Sequence, residues 1–577
     1  MATKKKSIII IFIFCFHFAY SQKDYPQNYF RSPVDIPIFL SGNFGEIRAS
    51  HFHSGIDIKT QGIVGKYIYA AAEGYVSRIK ISPSGYGNAL YITHPNGLLT
   101  VYGHLKSFND TIAKYVLAQH YAKKKFAMNL FPSSDKFPVS KGQIIGYSGN
   151  SGFSGGPHLH FEIRDSKTEN PLNPLLFNFE IKDDISPKLY DLYIYPQNSH
   201  SFVDNQNYSK KIALTGKKGE YKLKNEKTFE VYGEIGFGLK TYDFLNGSHN
   251  RCGAYSVKVF VDNNLIYFHE LTEFSFSETS YIKSFIDYFE KEKNSSKVQK
   301  NFVEPNNKLS IYNHLINRGV YEFVDDTIHL VSFEVKDAYN NISTLSFNIK
   351  SGFPETIKAD EKMNDYVMAM PFQIQNTYEN EGIKILIPKN TLFDNLFFEY
   401  SAYDLPLNQY SKIHNVHNKF TPLNKAFTIS IKSDKIPKKY YEKSVIATFD
   451  ENYSITGSIG GTVKDNFISA KSVQFGSFAI AIDTVVPEIK PLNITDGKNI
   501  SKSKNIKFRI SDDLSGIKSY IGYIDEKWVL FRYDAKTQTI FYNFSDDKID
   551  KGLQHKLVLF VIDNKNNKAS FEANFTW

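Results

Sequence analysis

Histidines and one aspartate recur at short spacings in the first third of the chain. His53 and Asp57 are four residues apart, His104 follows a Tyr-Gly pair, and His158 and His160 are separated by one residue. Seven of the 16 histidines lie between residues 51 and 160, and such gathering is typical of a site. Imidazole nitrogens and carboxylate oxygens are zinc ligands, and a free imidazole exchanges protons near neutral pH. The pattern therefore indicates metal-assisted proton chemistry.

His158 and His160 are predicted to share one face of a strand. Alternate side chains on a strand point the same way, with Cα atoms about 6.6 Å apart. Both imidazoles can then reach one small site, where one binds a metal and the other stays free for proton transfer. The glycine-rich run of residues 149–156 before them lets backbone pass close to that site.

The pair His53 and Asp57 needs a bend in the chain. On a straight strand the two residues would lie about 13 Å apart, whereas ligand atoms on one tetrahedral zinc lie about 3–3.5 Å apart. Gly55 is the residue that permits the bend. A helix is disfavoured here by Gly55 and by its β-branched neighbours. With one of the last two histidines, the pair makes three protein ligands, the pattern of a catalytic zinc.

Each of these short patterns is weak alone, since isolated histidines are more often surface or core residues than ligands. In combination the segment from about 50 to 174 resembles the lysostaphin-type, or LytM-like, zinc metallopeptidases, the peptidoglycan endopeptidase family. The resemblance rests on these stretches: His53-x-Gly55-x-Asp57, Ile68–Val76, Gly85–Asn88, Tyr102-Gly-His104-Leu105, Val139–Gly146 and Gly149–Glu162.

The resemblance implies roles for five residues. His53, Asp57 and His160 would hold one zinc ion, and His104 and His158 would be the catalytic histidines. Which histidine is the general base stays open. The resemblance also implies an antiparallel β-sheet LytM-like domain and a substrate, the peptide cross-links or stem peptides of bacterial cell-wall peptidoglycan.

The segment 107–138 departs from the family pattern and is predicted to be an insertion near the rim of the site. It contains one helical stretch, about 109–126, which Asp110 is expected to cap. Of the remaining candidates, His94 is expected in a turn and His120 on the helix surface. Glu162 is expected either to orient a site histidine or to face solvent.

The rest of the chain is predicted to be β structure. Phe and Tyr contribute most of the 15% aromatic residues and suit half-buried strands. Segments 335–349 and 561–575 each read as the last hairpin of a sandwich, with an Asp/Asn turn. The expected organisation is a mostly β chain with a LytM-like domain and three β-sandwich (Ig-like) modules, in this order: signal peptide 1–21, peptidase domain 22–180, Ig-like sandwich 181–352, β-rich module 353–483 and C-terminal Ig-like sandwich 484–577.

The first 21 residues predict export. Three lysines precede an apolar run and small residues, which is typical of a cleaved secretory signal peptide. The expected location is the periplasm or cell envelope, or the outside of the cell, with no transmembrane span after cleavage. Cleavage would leave Cys252 as the one cysteine, so a disulfide scaffold is excluded.

The net charge of +9 falls to +6 without the leader, and no concentrated basic stripe is present. Nucleic-acid binding is therefore excluded. The leading interpretation is an exported zinc endopeptidase that cuts peptidoglycan peptides. The alternative is a non-catalytic envelope protein of the same fold, which binds wall peptide or activates another wall hydrolase. The β modules are candidate contacts for an envelope protein partner.

Overall fold

The computed structural model describes residues 25–225, 228–354, 366–404 and 410–577. The predicted signal peptide, residues 1–21, lies outside the described residues. Within the described ranges, no helix combines the length and apolar character needed to cross a membrane. The prediction of a mostly β chain is confirmed, since strands follow one another through all four ranges.

The N-terminal region, residues 25–180, is built on two antiparallel sheets. The larger has the strand order β1-β2-β11-β6-β5-β4-β8, with β12 beside β11 and β9 beside β4, and the smaller has the order β3-β10-β7. The strands are β1 Leu40–Gly42, β2 Ile56–Lys59, β3 Tyr67–Tyr69, β4 Gly74–Ile81, β5 Asn88–Thr93, β6 Leu98–Leu105, β7 Ser107–Phe108, β8 Met128–Leu130, β9 Pro138–Val139, β10 Ile144–Tyr147, β11 His158–Asp165 and β12 Pro171–Leu172.

Strand β11 lies at the centre of the larger sheet, between β2 and β6. Its register places His160 opposite Asp57 on one side and opposite Gly103 on the other. Leu159 and Phe161 point to the other face and are fully buried. The predicted alternation is therefore present, and it brings the histidines of β11 next to the residues of β2.

Helix α1, Asp110–Lys123, is the helix predicted for 109–126. Its N-cap is Asn109, whose side chain accepts from the backbone N–H of Ile112 at 3.1 Å, so the predicted cap at Asp110 is wrong by one residue. Ile112 and Val116 pack into the core of the N-terminal region. The 107–138 segment also adds β7, β8 and β9 to the two sheets, so it is an integral part of them.

The second region, residues 188–351, forms one large mixed sheet system around its own apolar core. Strand β24 illustrates how the sheet covers this core, because its side chains alternate strictly between exposed and buried. The elements are β13 Lys188–Pro196, β14 Phe202–Val203, β15 Lys210–Lys217, β16 Glu220–Leu223, β17 Phe229–Tyr242, β18 Ser256–Val261, β19 Asn264–Glu270, α2 Ile282–Phe285, α3 Tyr288–Asn294, β20 Gln299–Lys300, β21 Tyr312–Leu315, β22 Tyr321–Phe323, β23 Ile328–Lys336 and β24 Ile342–Ser351.

The third region, residues 366–483, has two main sheets that share one core. The strands are β25 Met368–Met370, β26 Asn376–Glu379, β27 Ile383–Ile387, β28 Leu396–Phe398, β29 Tyr400–Tyr403, β30 Ile413–Val416, β31 Phe427–Lys432, β32 Ser444–Phe449, β33 Ile455–Ser458, β34 Thr462–Lys464, β35 Phe467–Ser472 and β36 Gly476–Ile482.

The C-terminal region, residues 484–577, again has two sheets around one core. The predicted hairpins are present as β23–β24 and β44–β45. That these regions are Ig-like stays a prediction. The strands are β37 Glu488–Pro491, β38 Lys498–Asn499, β39 Asn505–Ser511, β40 Ile517–Ile524, β41 Lys527–Val529, β42 Arg532–Asp534, β43 Thr539–Asn543, β44 Gln554–Asp563 and β45 Lys568–Thr576.

The N-terminal and second regions share a core. Phe44, Ile47 and Phe52 of the N-terminal region are buried with Phe274 and Phe285 of the second. Burying this much apolar surface stabilises the junction through the hydrophobic effect. Because Phe52 directly precedes His53, the second region supports the backbone at the candidate site.

Candidate metal centre

Three side chains converge on one point between β2 and β11. Asp57 Oδ1 lies 3.1 Å from His53 Nε2 and 2.9 Å from His160 Nδ1, and the two ring nitrogens are 3.0 Å apart. All three residues are buried. The predicted bend lies between His53 and Asp57, since β2 begins only at Ile56. Gly55 is needed there because a Cβ atom would lie 2.2 Å from the carbonyl oxygen of Phe161.

The donor set fits a zinc ion. Two imidazole nitrogens and one carboxylate oxygen, at 2.9–3.1 Å from one another, match the spacing of ligands on a tetrahedral zinc with bonds of about 2.0–2.2 Å. The His53 Nδ1–H donates to the carbonyl oxygen of Asn43 at 2.7 Å, which leaves Nε2 free for a metal. His160 is oriented the other way, because its Nε2–H donates to Glu162 Oε1 at 2.7 Å and leaves Nδ1 free.

The surroundings of the three ligands favour positive charge. Burial lowers the pKa of His160, but its hydrogen bonds with Asp57 and Glu162 outweigh that effect and raise the pKa to about 9. Burial likewise raises the pKa of Asp57, yet the His53 charge and hydrogen bonds from His158, His160 and His53 hold it well below its usual range. A cation at this point is therefore matched by the charges around it.

Glu162 orients His160, which decides between the two sequence-based alternatives for this residue. It is completely buried and accepts from Arg164 Nε at 2.5 Å and from Ser54 Oγ at 2.7 Å. Burial alone raises the pKa of Glu162, but the Arg164 charge and the His160 hydrogen bond lower it far below its usual value. Tyr86 completes the network, with its hydroxyl 3.0 Å from Ser54 Oγ and its ring stacked on His160 at 5.0 Å.

Arg48 holds the second oxygen of Asp57. Its guanidinium donates to Asp57 Oδ2 at 2.8 Å, and it also lies 3.2 Å from Glu46. This contact fixes the carboxylate plane and leaves Oδ1 directed at the two ligand nitrogens. Nothing in the spacing of the sequence motifs singles out Arg48.

His104 reaches the site through a β-bulge. On a regular strand it would share a face with Tyr102, which packs against Phe161 on the far side of the sheet. Between β5 and β6 the register shifts so that Gly103 and His104 together lie opposite one residue, and His104 adopts a φ of 58°. The bulge turns the imidazole to the face of His158, and the two ring centres are 4.8 Å apart.

The two candidate catalytic histidines each have one ring nitrogen fixed by backbone. His104 Nδ1 donates to the carbonyl oxygen of Ser151 at 2.8 Å, and His158 Nδ1 to that of Gly156 at 2.8 Å. Both Nε2 atoms are thus left for chemistry, and His158 Nε2 lies 3.4 Å from Asp57 Oδ1. Burial and the neighbouring His160 and His158 lower the pKa of His104 to about 3, which keeps its imidazole neutral.

The structure thus brings together all five residues singled out from the sequence. The expected turn at His94 is present, whereas the expected surface position of His120 is wrong. His94 begins the turn of residues 94–97, and its ring is buried, with Nδ1 2.7 Å from the carbonyl oxygen of Glu73 and Nε2 2.8 Å from Thr100 Oγ1. His120 is also buried, and its Nδ1 donates to the carbonyl oxygen of Lys125 at 2.8 Å. Both histidines are structural residues because their polar atoms are satisfied locally.

Comparison with known proteins identifies the N-terminal region. Residues 51–120 and 114–174 match the model of Peptidase family M23, and residues 367–483 match that of a Zu5-like domain. The five histidine and aspartate positions of the candidate site lie within the first of these matches.

Three relatives illustrate the similarity. DD-carboxypeptidase/endopeptidase Mpg of Neisseria meningitidis serogroup B is 32% identical over 123 residues, which are 21% of this chain and 22% of the relative. Peptidoglycan DD-endopeptidase ShyA of Vibrio cholerae is 29% identical over 164 residues, 27% of this chain and 32% of the relative. The solved catalytic domain of the prophage-encoded M23 protein EnpA from Enterococcus faecalis is 26% identical, with a TM-score of 0.18, and the match covers 26% of this chain and 94% of that domain. The chain therefore spans less than a third of the length of either curated relative.

Proposed function

We propose that the Peptidase family M23 domain in residues 51–174 makes this protein a zinc metalloendopeptidase of bacterial cell-wall peptidoglycan. The observation that carries the proposal is the convergence of His53, Asp57 and His160 within 3.1 Å of one another. His104 and His158 stand beside these ligands, each with one free ring nitrogen. Three ligands with neighbouring acid–base groups are what hydrolysis at a metal requires.

His53 Nε2, His160 Nδ1 and Asp57 Oδ1 are the atoms that would hold the ion. A bound zinc ion supplies Lewis-acid polarisation of a peptide carbonyl and lowers the pKa of water towards neutrality. Glu162 and Asn43 fix the ring orientations of the two histidine ligands, and Arg48 fixes that of the carboxylate. The ligand positions therefore depend on buried hydrogen bonds.

His104 and His158 would move the proton. Each keeps its Nε2 directed into the site by donating from Nδ1 to a backbone carbonyl. One accepts a proton from the attacking water and the other donates to the developing oxyanion or to the leaving amine. Of the two histidines, His158 is the more exposed to solvent, with 14% of its side chain accessible.

Peptidoglycan peptide is the proposed substrate for two reasons. Two relatives are named for DD-endopeptidase or DD-carboxypeptidase/endopeptidase activity. The predicted signal peptide would also bring the chain to the envelope, where this polymer lies. Export to the envelope belongs to the same proposal.

The test uses the full chain, loaded with zinc and incubated with purified peptidoglycan, with mass spectrometry of the released fragments. We expect muropeptides from the wild type, none after treatment with a zinc chelator, and recovery when zinc is restored. The masses identify the cleaved bond. His160→Ala should release no fragments, because it removes one ligand.

His200→Ala is the matched control, since this histidine is exposed in the second region and should leave the activity unchanged. The enzyme proposal is wrong if the zinc-loaded wild type releases nothing, or if His160→Ala releases the same fragments. Sedimentation of the chain with peptidoglycan without any cleavage would instead support the non-catalytic alternative.

A further inference from the structure

A second cluster of charged side chains lies at the junction of the N-terminal and second regions. Asp183 comes from the connecting segment, Asp243 directly follows β17, and Asp337 lies in the turn between β23 and β24. One carboxylate oxygen of each lies within 4.8 Å of the other two. Three segments distant in sequence thus bring three acidic groups to one point.

Two of the three carboxylates are buried, and no cation among the described residues compensates their charge. Asp243 is 3% exposed and Asp337 is 2% exposed. The groups that act on the pKa of Asp243 are its burial, then Asp337 and Asp183, and a backbone hydrogen bond from Phe244, and none of these is a cation. Buried carboxylates without a positive partner are strongly disfavoured in folded proteins.

Two oxygens of the cluster lack any donor. Asp243 Oδ1 and Asp183 Oδ2 are inaccessible to solvent and have no hydrogen-bond donor in the described part of the chain. Buried polar atoms are nearly always satisfied, so an unpartnered carboxylate oxygen that faces two others indicates a missing positive ligand.

The C-terminal region contains a closely similar arrangement with a lysine close by. Its members are again one aspartate from the connecting segment, one from a turn and one from the last hairpin: Asp483, Asp512 and Asp563. Asn341 Nδ2 donates to Asp337 Oδ2 at 2.6 Å and to the carbonyl oxygen of Asp183 at 3.2 Å. Asn567 Nδ2 repeats both contacts, with Asp563 Oδ2 at 2.7 Å and the carbonyl oxygen of Asp483 at 3.1 Å.

The two clusters differ at the position that follows the hairpin aspartate by two residues. The junction cluster has Tyr339 there, and the C-terminal cluster has Lys565. Lys565 is buried, and its ammonium group donates to the carbonyl oxygen of Gly461 at 2.9 Å, while the charges of Glu442, Asp483 and Asp563 act on it. A buried positive charge therefore lies close to the C-terminal cluster, whereas none of the groups that act on Asp243 is a cation.

We propose that Asp183, Asp243 and Asp337 bind one calcium ion at this junction. The ligands are oxygens only, which suits a hard cation, and calcium tolerates the irregular geometry of a site assembled from three segments. Zinc and copper prefer nitrogen and sulfur ligands, which the cluster does not offer.

The calcium site would stiffen the support of the metal centre. Asp243 and Cys252 exchange two backbone hydrogen bonds of 2.9 Å, and the next residue, Gly253, is held by both side-chain atoms of Asn43 at 2.7 and 2.8 Å. The carbonyl oxygen of Asn43 accepts from His53. One chain of hydrogen bonds thus runs from the calcium ligand to the zinc ligand.

In the test, calcium chloride is titrated into the full, zinc-loaded chain. The heat of binding is measured by calorimetry, and the melting temperature is measured with and without calcium. We expect one calcium ion per chain, with a Kd of about 10⁻⁶–10⁻⁴ M, and a rise of about 3 °C or more in Tm at saturation. Magnesium chloride at the same concentration should give a smaller rise.

Asp243→Asn should abolish the calcium response and still fold, because it removes the mutual repulsion that the ion relieves. Asp183→Asn, at a less buried position, should weaken binding at least tenfold. Asp512→Asn in the C-terminal cluster is the matched control and should keep the full response. The proposal is overturned if the wild type binds no calcium, if Asp243→Asn binds it unchanged, or if Asp512→Asn loses the response.

Discussion

At the scale of single residues, the metal centre is organised by hydrogen bonds to the far side of each imidazole. His53, His104 and His158 each donate from Nδ1 to a backbone carbonyl. His160 alone donates from Nε2 to a carboxylate, that of Glu162. A carboxylate partner raises the basicity of a ligand more than a carbonyl does, so we expect Glu162 to tune the affinity of the proposed zinc site.

Glu162→Gln tests this role. The amide retains an acceptor for His160 but loses the charge, so we expect the affinity for zinc to fall about 10- to 100-fold. The measurement is competition for zinc with a chromogenic chelator. Tm is recorded in parallel, since the substitution also removes the buried partner of Arg164, which costs stability.

Glu169→Gln is the appropriate control. Glu169 contacts the same guanidinium at 3.4 Å, but its side chain is 52% exposed. Its loss should change neither the zinc affinity nor Tm by more than experimental error. Equal zinc affinities for Glu162→Gln and wild type would contradict the orienting role.

At the scale of elements, the loop of residues 149–156 and the turn of residues 85–87 are interlocked by two glycines. Gly87 and Gly152 both have positive φ, of 63° and 69°. A Cβ on Gly152 would lie 2.3 Å from the backbone nitrogen of Gly87 and 2.4 Å from the carbonyl oxygen of Gly85. This contact sets the position of Ser151, whose carbonyl oxygen holds His104.

Gly152→Ala should therefore move His104 without touching the metal ligands. A misplacement of about 1 Å costs on the order of 10²-fold in rate, so we expect kcat to fall by about that factor while the zinc content stays at one per chain. Gly155→Ala is the matched control on the same loop, because a Cβ there meets no atom within 4 Å. Similar kcat values for the two variants would refute the interlocking role.

The sequence was sufficient for the parts of the site that depend on local periodicity. The alternation at His158 and His160, the bend at Gly55 and the helix in the 107–138 segment all follow from rules that act over a few residues. The bulge that turns His104 depends on the register between β5 and β6, and the burial of His94 depends on Glu73 and Thr100. Contacts that are distant in sequence have no local signature, which is why these features, and Arg48 beside Asp57, were not predictable.

At the scale of the whole molecule, the C-terminal region packs against helix α1. Tyr121 on the helix meets Trp528 edge to face at 5.3 Å, and Lys548 lies over the same tyrosine ring at 4.8 Å. Lys536 donates to the carbonyl oxygens of Asn150 and Ser154 on the loop that precedes His158. A cavity of about 460 Å³ lies between the helix, this loop and strands β42 and β43. The C-terminal region is thus in contact with the segment that positions the two candidate catalytic histidines.

Trp528→Ala should release this contact. Removing a half-buried tryptophan and its edge-to-face contact with Tyr121 costs about 2 kcal/mol. We therefore expect backbone amides of α1 and of residues 149–156 to exchange hydrogen about tenfold faster or more. Hydrogen-exchange mass spectrometry of the full chain measures this directly. The chain offers a matched control in its other tryptophan, Trp577, which stacks on Phe544 at 4.3 Å within the C-terminal region. Trp577→Ala should speed exchange in the C-terminal strands and leave α1 unchanged, and equal protection of α1 in the two variants would show that the C-terminal region does not stabilise the helix.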